Sequence, residues 1–280
     1  MRLEDEFAQT AVALARNGGP PPSDEGSWRA SNRPLVSVVI PALNEARNLP
    51  HVFAELPAWV YEVVLVDGNS TDGTAEIARE LFPTVRIVGQ TGKGKGNALA
   101  AGFAACSGDV IVMLDADGSA DPAEIESFVD ALCAGADFAK GSRFLDGGGS
   151  SDITVTRRAG NWFFSTLVNV MYGTKYSDLC YGYNAFWRRC LPAIRVDCDG
   201  FEVETLINIR AARAGLSVAE VPSFERDRIH GESNLRTFRD GFRVLRTIFR
   251  EWPRRATMGD RAAAANATAA DAVPAPEAIV

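Results

Sequence analysis

Short apolar runs alternate with segments of helical spacing along most of this chain. Val36–Ile40 is a continuous, largely β-branched run, which is typical of a strand buried on both faces. Similar runs lie at Val63–Val66, Val85–Val88 and Val110–Leu114. Between them, apolar residues recur at helical spacing in the segments 45–56, 74–82 and 97–106. The pattern predicts an α/β fold with a mostly parallel sheet, flanked by helices and wound from βαβ units.

The two ends of the chain differ in composition from this alternating part. Residues 1–16 have the spacing of a short amphipathic helix, and the Gly/Pro-rich segment that follows is typical of a linker. Residues 256–280 are rich in Ala and lack a core pattern, which predicts a disordered tail. We therefore predict four parts, namely a flexible extension (1–34), a single α/β domain (35–235), a basic amphipathic helix (236–255) and the tail (256–280).

The composition argues against several classes of protein. A formal net charge of −7 argues against bulk nucleic-acid binding, which needs a basic surface. His51 and His230 are the only histidines, and a metal would therefore be held by oxygen rather than by a histidine-rich zinc site. The five cysteines include no CxxC pair, which suits reduced thiols. We find no signal peptide and no apolar run of about eighteen residues, and we expect a cytoplasmic protein.

Two carboxylates follow the predicted strand that ends at Leu114. Asp115 and Asp117 lie on one turn, where they can share a hard divalent cation and the diphosphate that the cation neutralises. A DxD triplet alone is a weak signal, because surface loops often carry one. Its position after a buried strand favours the functional interpretation, since ligands of parallel sheets bind at the carboxyl ends of strands and adjacent carboxylates need a counter-ion.

Two further loops carry groups that suit a nucleotide. Asp67 follows a predicted strand and stands too early to cap the next helix, a role that suits Asp72. A carboxylate at position 67 can accept hydrogen bonds from a base ring. The run Gly92–Gly96 lacks P-loop spacing, and a surface loop with solvated lysines is its simpler interpretation. The functional alternative is that Lys95 meets a phosphate while glycine lets the backbone approach it.

Taken together, these motifs resemble the inverting family 2 glycosyltransferases of the GT-A fold. The resemblance spans about residues 35 to 250 and is carried by Pro41-x-x-Asn44-Glu45, Asp67–Thr74, Gly94–Leu99 and Asp115–Asp117. Arg228–Leu235 narrows it, because this segment is similar to the Arg-x-x-Gly-Glu-Ser-Lys-Leu element of dolichyl- and polyprenyl-phosphate sugar (mannose or glucose) synthases. Asn234 replaces the lysine of that element, which removes one cation.

The resemblance implies a role for each matching residue. The nucleotide sugar would be bound by Pro41, Leu43, Asn44, Glu45, Asp67, Ser70, Lys95, Gly96, Asp115, Ala116 and Asp117. Mg²⁺ or Mn²⁺ would be held by Asp115, Asp117 and Ser119. The acceptor phosphate would be bound by Arg143, Arg157, Arg228 and Ser233. The catalytic set would be Asp115, Asp117, Arg143 and Arg228.

The implied reaction moves a hexose from a nucleoside diphosphate sugar, of the GDP-mannose or UDP-glucose type, to a polyprenyl phosphate. A phosphate acceptor is ionised at neutral pH and needs no general base. Three alternatives stay open. With a hydroxyl acceptor, such as a polysaccharide or natural product, a base would come from Asp199, Glu202 or Glu204. The others are a sugar nucleotidyltransferase with a similar Gly/Lys loop and a non-catalytic nucleotide-sugar binder.

Two apolar segments can be interpreted either as part of the core or as a contact with the membrane. Trp162–Tyr172 is apolar nearly all round, which fits a buried core helix or, by the resemblance, a helix at the membrane face that guides the lipid. The second segment has one apolar face, formed by Phe238, Phe242, Leu245, Phe249 and Trp252. We expect this face to pack on the domain core with its arginines solvated. The alternative is an interfacial helix that attracts the enzyme to anionic lipid at the inner face of the membrane.

Overall fold

The computed structural model of this protein describes residues 33–231 and 236–252. The predicted extension, apart from residues 33–34, lies outside these described residues. So do the predicted tail, Ser233 and Asn234, and the last three residues of the predicted basic helix.

A central sheet of seven strands organises the described part of the chain. The strands in chain order are β1 (Val36–Ala42), β2 (Glu62–Asp67), β3 (Arg86–Gly89), β4 (Val110–Met113), β5 (Phe138–Ser142), β6 (Gly149–Ser150), β7 (Asn184–Trp187), β8 (Val218–Pro222) and β9 (Phe224–Glu225). The large sheet has the order β3-β2-β1-β4-β7-β5-β8, and β6 pairs separately with β9. Only β7 runs antiparallel to its neighbours in the large sheet. The mostly parallel sheet confirms the predicted α/β class.

Seven α-helices belong to the described residues. They are α1 (Leu49–Glu55), α2 (Thr74–Leu81), α3 (Lys95–Ala105), α4 (Ile125–Cys133), α5 (Val155–Tyr172), α6 (Val203–Ala214) and α7 (Thr237–Glu251). The predicted helix at 45–56 begins only at Leu49, because Glu45 first closes a turn with Asn48. Asp121 accepts a hydrogen bond from the Ala123 amide, and a 3₁₀ turn from Pro122 leads into α4. The predicted helices at 74–82 and 97–106 and the four predicted strands lie within two residues of their observed ends. The helix that contains residues 162–172 begins earlier, at Val155, and the helix predicted over 236–255 ends at Glu251.

Both faces of the sheet are covered, which explains the continuous apolar runs. Val38 and Ile40 of β1 belong to the core on one face, together with Phe53 of α1. Val39 belongs to the core on the other face, together with Leu99 of α3. Each fully buried aliphatic side chain of this kind contributes about 1.5–3 kcal/mol of transfer free energy. Strands buried in this way fix the loops at their carboxyl ends.

The aromatic face of α7 is exposed, and our expectation that it packs on the core is wrong. Phe238 is 88% exposed, and Phe242, Phe249 and Trp252 are also exposed. The helix packs instead through the face that holds Asp240, Val244, Thr247, Ile248 and Glu251. Buried Glu251 is bound by Arg210 and Arg213 of α6. The inward face of α7 therefore combines the apolar contacts of Val244 and Ile248 with ion pairs to Glu251, because a buried charge needs a partner.

Helix α5 is buried along only one side. Asn161, Ser165 and Val168 face the interior, whereas Trp162 and Val170 are exposed. Its apolar composition therefore does not reflect burial all round. Among the described residues, none of the helices combines the length and the apolarity that are needed to cross a bilayer.

Candidate functional site

The carboxyl ends of β1, β2 and β4 lie side by side and present their loops at one edge of the sheet. Asp115 follows β4 and is bound by Lys95, the first residue of α3, with Nζ–Oδ distances of 2.7 and 2.8 Å. The same ammonium group lies 2.9 Å from Oε1 of Glu204 in α6. We call Asp115, Lys95 and Glu204 the Lys95 triad. The simpler interpretation of a solvated loop lysine is therefore wrong for Lys95.

A second triad surrounds Asp117. Arg228 Nη2 lies 2.7 Å from Asp117 Oδ2, and Arg228 Nη1 lies 3.2 Å from Glu45 Oε1. The segment that carries Arg228 runs along the Asp117–Ser119 turn, since the Arg226 amide donates to the Ser119 carbonyl and the Ile229 amide to that of Asp117. We call Asp117, Arg228 and Glu45 the Arg228 triad. Each aspartate of the DxD turn thus has its own cation, and each cation has a second carboxylate.

The electrostatics of the two triads favour a divalent cation. Four carboxylates and two cations leave a formal charge of −2 when all are ionised. Burial by itself would lower the pKa of Lys95, but Asp115 and Glu204 raise it above its ordinary value. Burial raises the pKa of Glu204, and Lys95 opposes that shift. Burial likewise raises the pKa of Glu45 against hydrogen bonds from Asn48 and Arg228.

The residues present fit Mg²⁺ or Mn²⁺ that is shared with a ligand. Magnesium is usually held by one or two carboxylates plus substrate phosphates, and Asp115 and Asp117 supply that number. Ser119 donates its hydroxyl to Asp117 Oδ1 at 2.7 Å, which orients this carboxylate. In the described ranges, no group of three or more His, Cys, Asp or Glu side chains forms a complete metal cage. Oxygen atoms of a phosphorylated ligand would have to complete the coordination.

The loops after β1 and β2 are joined by hydrogen bonds. The Asn44 amide donates to Ser70 Oγ at 2.9 Å, and the Thr71 amide donates to Asn44 Oδ1 at 2.8 Å. Among the described residues, the Asp67 carboxylate accepts a hydrogen bond only from the Ser70 amide, at 3.3 Å to each oxygen. Asn44 has a φ of 59°, a left-handed conformation that Asn tolerates better than most residues. These bonds fix the place of the half-buried Asp67 carboxylate and leave it capacity to accept further hydrogen bonds.

Asp72 fixes the same pair of loops, although Gly73 is the N-cap residue of α2. Its carboxylate accepts hydrogen bonds from the Thr74 amide and hydroxyl and from the Ala46 amide. Burial would raise the pKa of Asp72, but these hydrogen bonds outweigh it and lower the pKa. Asp72 therefore satisfies an amide at the start of α2, as a cap would, and also ties this helix to the loop after β1.

Gly94 and Gly96 of the Gly92–Gly96 loop accommodate the backbone of the protein itself. Gly96 donates its amide to the Asp199 carbonyl at 2.9 Å. A Cβ atom at Gly94 would collide with the same carbonyl oxygen, and one at Gly96 would collide with that of Cys198. Gly94 also has a φ of 85°. Close approach by residues 198–199 explains why these two positions require glycine.

Two cavities meet at the DxD turn. The small cavity has a volume of about 200 Å³ and is lined by residues that include Pro41, Ala42, Leu43, Glu45 and Ala116. The large cavity has a volume of about 830 Å³ and extends between α5 and α7, where its lining includes Phe163, Phe164, Phe238, Phe242 and Leu245. Five residues line both cavities, and we call them the junction: Lys95, Asp115, Asp117, Phe201 and Arg228.

The predicted nucleotide-sugar residues fall into two groups. The small cavity is lined by Pro41, Leu43, Glu45, Lys95, Asp115, Ala116 and Asp117. Asn44, Asp67, Ser70 and Gly96 do not line it. The first three of these belong to the hydrogen-bonded loops beside the cavity, and Gly96 lies under residues 198–199.

The predicted phosphate-binding arginines differ in their surroundings. Arg143 is buried and binds Asp178 through Nε and Nη2, at 2.7 and 3.0 Å, and Glu225 through Nη1 at 3.0 Å. Burial would raise the pKa of Asp178, but Arg143 outweighs it and lowers that pKa. Arg157 pairs with Asp152 at 2.9 Å. Both arginines line the large cavity, but only Arg228 lies at the junction.

Sequence interpretation did not reveal the structural roles of two residues beside the junction. Glu204 was considered only as a possible base, whereas the structure places its carboxylate on Lys95. Gly182 lies against the Lys95 triad, because a Cβ atom there would stand 2.8 Å from Lys95 Nζ and 3.2 Å from Asp115 Oδ2. A glycine between Tyr181 and Tyr183 was the available signal for close packing.

Comparison with known proteins finds a family model and relatives that match this sequence. The sequence model described as "Glycosyl transferase family 2" matches residues 37–194. The polyprenol monophosphomannose synthase of Mycolicibacterium smegmatis is 33% identical over 244 residues, which cover 82% of this chain and 90% of that protein. The undecaprenyl-phosphate mannosyltransferase of Micrococcus luteus is 33% identical over 212 residues, covering 71% of this chain and 87% of that protein.

A solved structure confirms the architecture. It is the glucosyl-3-phosphoglycerate synthase of Mycobacterium tuberculosis, crystallised with Mn²⁺, uridine diphosphate and glucosyl-3-phosphoglycerate. The TM-score is 0.63 at 24% sequence identity, and the alignment covers 84% of this chain and 86% of that one. At this identity the likeness shows the fold alone, which agrees with the predicted GT-A architecture.

Proposed function

This chain belongs to glycosyl transferase family 2, and from that premise we propose that it transfers a hexose from a nucleoside diphosphate sugar to a polyprenyl phosphate, with inversion at the anomeric carbon. One observation carries the proposal. A small cavity lined by strand-end loops and a large cavity with aromatic walls meet at Asp115 and Asp117. The names of the two mannosyltransferase relatives support the acceptor class.

The donor would occupy the small cavity. Pro41, Leu43 and Glu45 line that cavity beside the loop of Asp67, which has capacity to accept hydrogen bonds from a nucleobase. Lys95, at the N-terminus of α3, would meet the diphosphate, because an ammonium group and a helix N-terminus both favour anions. Asn44 and Ser70 would act through the loop that they join. Gly96 would contribute by keeping α3 against residues 198–199.

Asp115, Asp117 and Ser119 would hold the divalent cation, and the Ser119 hydroxyl also orients Asp117. The bound ion would neutralise the charge that develops on the leaving diphosphate. Lys95 and Arg228 would add positive charge from either side of the DxD turn. The geometry supports Mg²⁺ and Mn²⁺ equally, since both accept oxygen ligands.

The acceptor phosphate would approach from the large cavity. Its oxygen forms the new bond to the anomeric carbon while the bond from that carbon to the diphosphate oxygen breaks, and the electron pair leaves with the diphosphate. No proton has to be removed, because the attacking phosphate is already ionised. Arg228 at the junction offers a planar, permanently charged fork for phosphate oxygens. Arg143, Arg157 and Ser233 complete the proposed acceptor set.

The prenyl chain would leave between α5 and α7. Exposed apolar side chains on both helices and at the C-cap of α7 form what we call the α5–α7 surface: Val155, Trp162, Phe163, Val170, Phe238, Phe242, Phe249 and Trp252. Arg158, Arg239 and Arg246 are exposed on the same helices. Aromatic side chains flanked by arginines suit the boundary of an anionic membrane. We therefore propose peripheral binding to the cytoplasmic face of a membrane through this surface.

The test is a donor and acceptor panel read by mass spectrometry. GDP-mannose and UDP-glucose are offered with Mg²⁺ or Mn²⁺, against a short polyprenyl phosphate and, as the soluble hydroxyl acceptor, 3-phosphoglycerate. We expect a glycosyl ester of the lipid phosphate with one donor and no product with 3-phosphoglycerate. Transfer to 3-phosphoglycerate alone would contradict the proposed acceptor. Pyrophosphate release from a nucleoside triphosphate and a sugar phosphate would indicate a nucleotidyltransferase instead.

A hydroxyl acceptor is the second candidate, and one observation favours it. Glu202 Oε2 is buried and has no hydrogen-bond partner among the described residues, which leaves this oxygen available to accept a proton from a hydroxyl group. Against this, neither Glu202 nor Asp199 lines the small or the large cavity, and Glu204 is bound to Lys95. Loss of transfer by about a hundredfold in Glu202→Gln, the scale of general-base catalysis, would favour the hydroxyl acceptor. Retained activity would favour the phosphate.

A further inference from the structure

The members of the Lys95 triad differ in their access to solvent. The Asp115 side chain is 36% exposed, that of Lys95 12% and that of Glu204 4%. A ligand that enters the junction from either cavity therefore reaches Asp115 before it reaches Glu204. Glu204 is the innermost member of the triad, in the first turn of α6.

Gly182 closes one side of this triad. A Cβ atom at that position would lie 2.8 Å from Lys95 Nζ, 3.2 Å from Asp115 Oδ2 and 3.3 Å from Glu204 Oε1. The backbone at Gly182 thus occupies the space beside all three charged groups. Lys95 is confined on that side, and its free direction is toward the two cavities that it lines.

We propose that Glu204 is a positioning residue, which retains Lys95 at the junction when a divalent cation takes over Asp115. With Glu204 present, the ammonium group keeps one carboxylate partner when Asp115 turns to the metal. Without that negative charge, Lys95 depends on Asp115 alone and competes with the metal for it. The part of this inference that concerns a donor diphosphate rests on the proposed function, whereas the metal part does not.

The first experiment measures Mn²⁺ binding to the full chain by electron paramagnetic resonance, without donor or acceptor. Glu204→Gln keeps an oxygen that can accept from Lys95 but removes the charge. We expect Mn²⁺ affinity to fall by about three- to thirtyfold, the scale of coupling between charged groups in contact. Glu202→Gln is the matched control, because it neutralises a carboxylate two residues away that is not part of the triad. Its affinity should stay within about twofold of wild type.

The second experiment asks whether the effect passes through Lys95. Mn²⁺ affinity is compared between Lys95→Met and Lys95→Met/Glu204→Gln. We expect the second substitution to cost nothing further in this background, because the competing ammonium group is gone. Circular dichroism checks that each variant is folded. If Glu204→Gln does not fold, Glu204→Asp is used instead. Its shorter side chain keeps the negative charge but places it farther from Lys95.

Two outcomes would overturn the inference. One is Mn²⁺ affinity in folded Glu204→Gln that matches wild type. The other is an equal loss in the Lys95→Met background, which would show a through-space effect of charge without any retention of Lys95. Failure of the proposed function is separate, because it would appear as absence of transfer to polyprenyl phosphate by the wild-type enzyme. A wild type that transfers the sugar while Glu204→Gln binds Mn²⁺ normally would remove only this inference.

Discussion

The small and the large cavity are built from different kinds of structure. The small cavity lies at the ends of buried strands, and the loops beside it are joined by hydrogen bonds such as that from the Asn44 amide to Ser70. The large cavity lies between α5 and α7, whose outer faces expose aromatic rings. A ligand of the small cavity meets polar groups that the sheet fixes in place. A ligand of the large cavity meets a less restrictive apolar wall that continues to the protein surface.

This difference matches the two substrates that we propose. A nucleotide has a defined shape and hydrogen-bonding pattern, which fixed polar groups can recognise. A prenyl chain offers only apolar area, for which a long aromatic channel is sufficient. The junction must contact both substrates. Its charged residues line both cavities and are held in place by the ion pairs of the two triads.

The largest effect should follow from a change in the DxD turn itself. Asp117→Asn removes a charge that balances Arg228 and would hold the metal. We predict a fall in turnover by about a hundredfold to a thousandfold, the scale of losing one electrostatic group at the reacting centre. Asp146→Asn, on an exposed loop, is the control and should leave turnover unchanged. Full activity of Asp117→Asn, or of wild type in excess EDTA, would refute the metal role.

The next effect should come from a methyl group placed against the Lys95 triad. A Cβ atom at Gly182 would crowd Lys95, Asp115 and Glu204 together. We predict that Gly182→Ala lowers kcat by about a hundredfold, because displacement of reacting groups by about 1 Å has an effect of that size. Gly89→Ala is the matched control, since a Cβ atom there meets nothing within 4 Å. Activity near wild type in Gly182→Ala would show that the triad tolerates rearrangement.

A smaller effect, confined to the small cavity, should follow from Asp67→Ala. A charged hydrogen bond to a nucleobase contributes about 1.5–3 kcal/mol, and its loss should weaken nucleoside diphosphate binding by about ten- to a hundredfold. The acceptor KM should stay constant. Calorimetry with the nucleoside diphosphate measures the change, and Glu80→Ala on the exposed side of α2 is the control. Unchanged affinity for the nucleoside diphosphate would show that Asp67 does not bind the nucleobase.

The sequence predicts the small cavity better than the large one, for a physical reason. Strands such as β1 are buried on both faces, and their apolar runs locate both the strand and the polar residues that follow it. The pairing of Lys95 with Glu204 joins two helices that are distant in sequence, and no local pattern specifies it. The packing of α7 was predicted wrongly because apolar spacing does not reveal that buried Glu251 pairs with Arg210 and Arg213 of α6.

The smallest effect should appear on the α5–α7 surface, farthest from the chemistry. Phe238→Ser should reduce binding to anionic vesicles by several-fold, since full burial of a phenylalanine contributes about 1.5–3 kcal/mol and an interfacial ring is only partly buried. Binding of wild type should also weaken as salt screens Arg239 and Arg246. Vesicle sedimentation measures both changes. Tyr61→Ser is the control, because Tyr61 is also an exposed aromatic but precedes β2, at the opposite end of the strands from the junction. Equal losses of vesicle binding in the two variants, or no vesicle binding by wild type at low salt, would contradict membrane binding through the α5–α7 surface.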